Sequence, residues 1–154
     1  GRFVSNFSLG TIEKNTTAGI FGVLTDENVL TESSYTQALP TAAPNQIVLG
    51  PAQIFTAIDG NKVECFDVEI EKVMPAHKDG KGLVVRVTDP ILLEKTGGIV
   101  QGMSGSPIIQ NGRIIGAVTH VFINDPTRGY GILIHDMLQE TSILDETDTV
   151  KAAA

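Results

Sequence analysis

Ser106-Pro107-Ile108-Ile109-Gln110-Asn111-Gly112-Arg113-Ile114-Ile115-Gly116-Ala117-Val118-Thr119-His120-Val121-Phe122 reads as two antiparallel strands joined by a tight turn. Asn111-Gly112 sits between two apolar runs, and both residues tolerate the positive φ that a two-residue hairpin loop requires. Outward from this hairpin, the chain is a succession of short extended segments separated by Gly, Pro, Asn and Asp, the pattern of an all-β protein. Strands are expected near Gly19 to Leu24, Ile47 to Leu49, Gln53 to Ile58, Lys62 to Val73, Gly82 to Thr88 and Gly129 to Ile134. Cys65 and Phe66 interrupt the alternation within Val63 to Val73, which suggests a bulge there. Two helices are expected, one over Pro90 to Lys95 with Thr88 or Asp89 as cap and Gly97 as stop, the other from about His135 to Leu144.

The 154 residues suffice for one domain or a large part of one, and 42% apolar residues with only 5% aromatics leave packing to Val, Ile and Leu. A net charge of −7 provides no basic field for nucleic acid or an anionic bilayer. No apolar run approaches the roughly 20 residues of a membrane span, and Gly1 to Leu9 has no basic or apolar leader pattern. The lone Cys65 cannot form an internal disulfide and is read as a small packed hydrophobe. There is no zinc spacing, Walker loop or EF-hand, and no cofactor or metal is expected. Thr31 to Asn45 reads as a long exposed loop, and Ala152-Ala153-Ala154 resembles an expression-vector remnant, which leaves 1–151 as the folded part.

Chemistry concentrates just before the hairpin, in Gly102-Met103-Ser104-Gly105-Ser106-Pro107. A serine hydroxyl attacks only when a base takes its proton and donors stabilise the oxyanion that forms. The flanking glycines allow the backbone to turn so that the amides of Gly102 and Ser104 converge beside the Ser104 hydroxyl. Ser-Gly-Ser-Pro by itself describes an ordinary turn; its flanking sequence sets it apart from one. Ser106, framed by a glycine on one side only, is read as satisfying a nearby backbone group. Asp89, before Pro90, is an ordinary N-cap by its local sequence.

The run from Gly102 to Val121, followed by Pro126-Thr127-Arg128-Gly129-Tyr130-Gly131-Ile132, resembles the nucleophile region of trypsin-like proteases. A closer resemblance is to the stage IV sporulation protein B peptidases of endospore-forming bacteria. It is carried by Thr96-Gly97-Gly98-Ile99-Val100-Gln101-Gly102-Met103-Ser104-Gly105-Ser106-Pro107, Gly116-Ala117-Val118-Thr119-His120-Val121 and Asn124-Asp125-Pro126-Thr127-Arg128-Gly129-Tyr130-Gly131, with Gly10-Thr11-Ile12-Glu13-Lys14-Asn15 upstream. The resemblance implies a chymotrypsin- or trypsin-like double β-barrel whose N-terminal barrel is truncated at its start, making the chain a partial peptidase domain. It implies Ser104 as nucleophile and Asp89 as the carboxylate that orients a base. It further implies an oxyanion hole at Gly102 and Ser104, and a substrate-binding strand at Thr119, His120 and Val121.

The family's histidine base falls before Gly1. Of the histidines present, His77 reads as a solvated turn, His120 as a substrate contact and His135 as an exposed start of the last helix. The implied function is a serine endopeptidase, exported to the space between forespore and mother-cell membranes. Its implied partner is the extracytoplasmic part of a membrane-held regulator of an intramembrane protease, which matures a late sigma factor; self-cleavage is also open. A silent peptide- or partner-binding domain is the competing expectation, supported by the missing base. Gly98 is expected near the floor of the primary specificity pocket.

Overall fold

The computed structural model describes residues 10–25, 38–60 and 62–141. The strands are β1 (Gly10–Thr16), β2 (Gly19–Leu24), β3 (Gly50–Asp59), β4 (Lys62–Val73), β5 (Leu83–Val87), β6 (Pro107–Gln110), β7 (Arg113–Phe122) and β8 (Asp125–Leu133). Helix α1 spans Pro90–Thr96 between β5 and β6, and a second helix, α2, occupies 134–141. The fold is mostly β. Strands β3 to β8 close into a six-stranded antiparallel barrel in the order β3-β4-β5-β8-β7-β6, while β1 and β2 form a separate two-stranded sheet.

Alternation along the strands sends one set of side chains inward. Ile54 from β3, Phe66, Val68 and Ile70 from β4, Leu83 and Val85 from β5, and Val118 from β7 make up the barrel core with Met103 and Leu92. The β6–β7 hairpin turns at Asn111, with φ 51°, and Gly112, with φ 72°, both positive as its loop requires. Where β6 meets β3, only Gln53 with Ile109 and Ile54 with Ile108 pair, and the buried side chain of Gln110 fastens the junction. Its Nε2 donates to Val48 O at 2.9 Å and Pro51 O at 3.1 Å, and its Oε1 accepts from Val48 N at 3.0 Å.

The β1–β2 hairpin packs on the outside of the barrel. Ala18 and Phe21 meet Ala117 and Ile132, cross-strand partners in β7 and β8, together with Met137 of α2. Lys14 pairs with Glu140 of α2 and so ties the hairpin to that helix. No helix among the described residues is long and apolar enough to cross a membrane.

Several expectations need correction. Gly10–Thr16 is a strand, unforeseen because Thr11-Ile12-Glu13-Lys14-Asn15 carries no clean alternation; its antiparallel pairing with β2 makes it one. Ile47 to Leu49 is not a strand, since Val48 spends its backbone groups on Gln110 rather than on a ladder. The bulge expected within Val63 to Val73 is present, but it falls between Ile70 and Lys72 against β5 and not at Cys65 and Phe66, where β4 stays in step with β3. Uninterrupted alternation that buries Phe66, Val68 and Ile70 turns Cys65 outward, so the thiol is exposed rather than packed. The described end of the expected loop, 38–45, is partly tethered: Ala42 is buried and donates to Ile114 O at 2.9 Å. Residues 31–37 and the end of the expected last helix, 142–144, lie outside the described residues.

Candidate active site

The connection from β5 to β6 crosses one end of the barrel and carries both Asp89 and Ser104, because β5 ends and β6 begins at that end. It opens with α1, which stops at Gly97 in the left-handed conformation. The chain then docks on the start of β8 through Ile99 N, which donates to Pro126 O at 2.8 Å, and Gly98 lies directly against the Pro126 carbonyl. Met103, only 2% exposed, plugs the barrel core. With its neighbour anchored inward, Ser104 is left exposed on a turn.

Gly102 with φ 102° and Gly105 with φ 89° bracket the serine, both in a region that disfavours any side chain. The turn closes through Met103 N to Val100 O at 3.1 Å, Ser106 N to Met103 O at 3.0 Å and Gly105 N to Val118 O at 2.7 Å. Among the described residues, the amides of Gly102 and Ser104 donate no hydrogen bond, whereas those of Met103, Gly105 and Ser106 all do. Two free amides one residue apart, beside a hydroxyl, supply the kind of donors a developing oxyanion requires. The Ser104 hydroxyl itself donates to the main-chain carbonyl of Thr119 at 3.0 Å. Ser106 is buried, and its hydroxyl makes no hydrogen bond among the described residues; its carbonyl accepts from Val118 N at 2.9 Å instead. The backbone-satisfying role expected of that side chain is thus filled by its main chain.

Asp89 is half-buried and does cap α1: its Oδ1 accepts from Ile91 N at 2.9 Å and Leu92 N at 3.2 Å. Its Oδ2 accepts from Asp67 N at 3.1 Å. A carboxylate offers about four lone-pair directions, so three accepted bonds leave one on Oδ2. The side chain is therefore held by backbone on two elements while keeping one acceptor to spare.

Beyond Ala117, which pairs with Pro107, and the Val118 bonds to Gly105 and Ser106, β7 has no strand on its β6 side among the described residues. Its other side stays paired to β8, His120 with Tyr130 and Val121 with Gly129. An edge of this kind accepts an extended peptide as an added strand. An open groove of about 460 Å³ at the end of the β7–β8 hairpin is lined by Lys81, His120, Val121, Phe122, Asp125 and Tyr130. Phe122 and Tyr130 pack with ring centroids 4.6 Å apart, and Lys81 Nζ lies 5.5 Å from the Tyr130 centroid. Thr119 is half-buried and does not line the groove; its hydroxyl donates to Gly80 O at 2.6 Å. Asp125 is held below the usual carboxylate range, chiefly by the Thr127 hydroxyl and further by the Thr127 amide and Arg128.

His77, His120 and His135 are all exposed, and no imidazole among the described residues accepts the Ser104 proton. No group of three or more His, Cys, Asp or Glu among the described residues could hold a metal ion. A sequence profile described as SpoIVB peptidase S55 matches residues 1–138. No curated protein and no solved structure matches the chain.

Proposed function

Because the chain belongs to the SpoIVB peptidase S55 family, we propose that it forms the nucleophile side of a trypsin-like serine endopeptidase, with Ser104 attacking the scissile carbonyl. The observation that carries this reading is the turn at Gly102 to Gly105, which presents an exposed hydroxyl beside two unpartnered amides and an open strand edge. On this reading the substrate adds to β7 along Thr119, His120 and Val121, and its carbonyl oxygen enters the hole formed by the Gly102 and Ser104 amides. Asp89 uses its remaining acceptor to hold the imidazole base in one tautomer. The base is the family's upstream histidine. The barrel β3 to β8 is the second of two, and β1–β2 belongs to the first.

The substrate proposed from the family is the extracytoplasmic part of a membrane-held regulator, cut in the space between forespore and mother-cell membranes to start sigma-factor processing. Self-cleavage uses the same site. The test is peptide turnover and self-cleavage by the protein carrying this chain and its upstream histidine, with and without Ser104→Ala. Loss of both activities in the variant supports the assignment; unchanged activity removes it.

A second reading, a peptide-binding domain that does not cut, is favoured by the Ser104 hydroxyl donating to a carbonyl rather than to a base. Peptide affinity without turnover in the histidine-containing protein would select it.

A further inference from the structure

Thr119 takes part in two hydrogen bonds, one through its side chain and one through its main chain. Its side chain donates to Gly80 O at 2.6 Å, and its carbonyl accepts from the Ser104 hydroxyl at 3.0 Å. Gly80 is itself buried, and it sits between two parts of the molecule. A Cβ placed on it would come within 3.1 Å of the Thr17 carbonyl in the β1–β2 turn and 3.7 Å of the Thr119 methyl. Its φ of 77° lies in the region that glycine occupies without strain. The surrounding segment is pinned as well: Met74 N donates to Gly82 O at 2.7 Å, and Lys78 pairs with the buried Asp136 of α2.

The hairpin, which packs on the barrel through Ala18 and Phe21, therefore rests on Gly80. Gly80 holds the Thr119 hydroxyl, and the Thr119 peptide fixes where the Ser104 oxygen lies. Thr119 also falls at the register shift of β7 between Val118 and His120, where ladder pairing with β8 is interrupted. A peptide at such a shift is less constrained by its own sheet, so a side-chain anchor matters more there. We infer that Thr119 is a positioning residue for Ser104, and that seating of the β1–β2 hairpin on Gly80 is transmitted through the Thr119 hydroxyl to the serine. This rests on the reading of Ser104 as nucleophile. It goes beyond that reading by giving the Thr119 side chain a role that touches no substrate.

The experiment measures the rate at which a fluorophosphonate probe labels Ser104 in the protein carrying this chain and its upstream histidine. Labelling forms an Oγ–P bond, expels fluoride and passes the hydroxyl proton to the base, so the rate reports reactivity without any peptide contact. Thr119→Val, close in shape but lacking the donor, is expected to label about tenfold more slowly, since small displacements of a reacting atom are costly. Thr119→Ser should restore the rate to within about twofold, which a purely structural role of the methyl would not do. Gly80→Ala, which crowds the Thr17 carbonyl of the hairpin and strains the Gly80 backbone at its positive φ, should slow labelling in the same way. Labelling of Thr119→Val at the wild-type rate, or failure of Thr119→Ser to rescue it, overturns the inference while leaving the nucleophile in place. Absence of labelling in the wild-type protein overturns the functional reading itself, and this inference with it.

Discussion

Asp89 and Asp67 are joined twice across the end of β5: the Asp67 amide donates to Asp89 Oδ2 at 3.1 Å, and Asp67 O accepts from Asp89 N at 3.0 Å as well as from the neighbouring Thr88 N. The same carboxylate caps α1. Structural and catalytic duties for Asp89 are therefore separable by experiment. Asp89→Ala should lower stability by about 1–2 kcal/mol in urea unfolding, the usual cost of a lost N-cap. Asp89→Asn keeps one oxygen for the cap and should unfold closer to wild type. If the carboxylate orients the base, Asp89→Asn should still lose about 10³–10⁴ in turnover, as expected for the wrong tautomer. A variant that is destabilised yet cleaves normally would reduce Asp89 to a cap.

Ser104 is exposed and makes one hydrogen bond to a carbonyl, so Ser104→Ala should leave stability within about 0.5 kcal/mol of wild type. Peptide turnover in the histidine-containing protein should fall by up to about a millionfold, the scale set by losing a nucleophile or its base. A polypeptide of the present sequence should by itself cleave hardly at all. Robust Ser104-dependent cleavage by that polypeptide would mean that His77, His120 or His135 supplies the base.

Gln110 is 4% exposed and serves three backbone groups of Val48 and Pro51. Gln110→Leu fills similar space but removes all three hydrogen bonds, each worth about 0.5–1.5 kcal/mol net. A loss of about 2–4 kcal/mol in denaturant unfolding is expected, relieved in part by whatever water reaches Val48. A variant as stable as wild type would show that these bonds are dispensable.

Asn111 holds a φ of 51° in the β6–β7 turn. Asn111→Ala should cost about 1–2 kcal/mol, because a Cβ in this region crowds the following carbonyl and alanine has no polar side chain to compensate. Asn111→Gly should be close to neutral. Thermal unfolding of the two variants distinguishes turn strain from loss of any side-chain contact.

The Cys65 thiol is pushed above its usual range, first by partial burial and then by the negative charges of Asp67 and Asp89. Because the thiolate is the reactive form, alkylation of Cys65 should need a higher pH than a free thiol does, and Asp67→Asn should move the profile back down. The sign for stability follows: the unfolded thiol ionises first, so the contribution is whole below its unfolded pKa and declines as pH rises through the folded one. An alkylation profile matching that of a simple peptide thiol would contradict this.

What could be read from the sequence was local. The extents of β4 and β7 follow from their runs of apolar residues, and the β6–β7 turn follows from Asn111-Gly112 alone. The glycine-framed turn at Ser104 and the cap at Asp89 were equally visible, since both depend on neighbours within a few residues. The roles of Gly80 and Gln110 were not, because they are conferred by Thr17, Thr119, Val48 and Pro51, distant in sequence and adjacent only after folding. For the same reason Cys65 was misplaced: which of two alternating faces is buried is decided by the register with β3, not by the identity of the residue.

The short seam between β3 and β6 bears on how the molecule assembles. The β3–β4 and β6–β7 hairpins pair residues close in the chain, whereas Gln53 with Ile109 and Ile54 with Ile108 join segments separated by most of the barrel. Loop entropy must be lost before so few bonds repay it, which makes this the last joint to form and the first to part. Opening there would leave β6 attached through β7 alone and carry the Ser104 turn with it, so amide hydrogens at the seam should exchange ahead of those in β4 and β5. The nucleophile thus hangs from the least cooperative part of the barrel, where a bound partner can change its population of ordered states at the smallest free-energy cost.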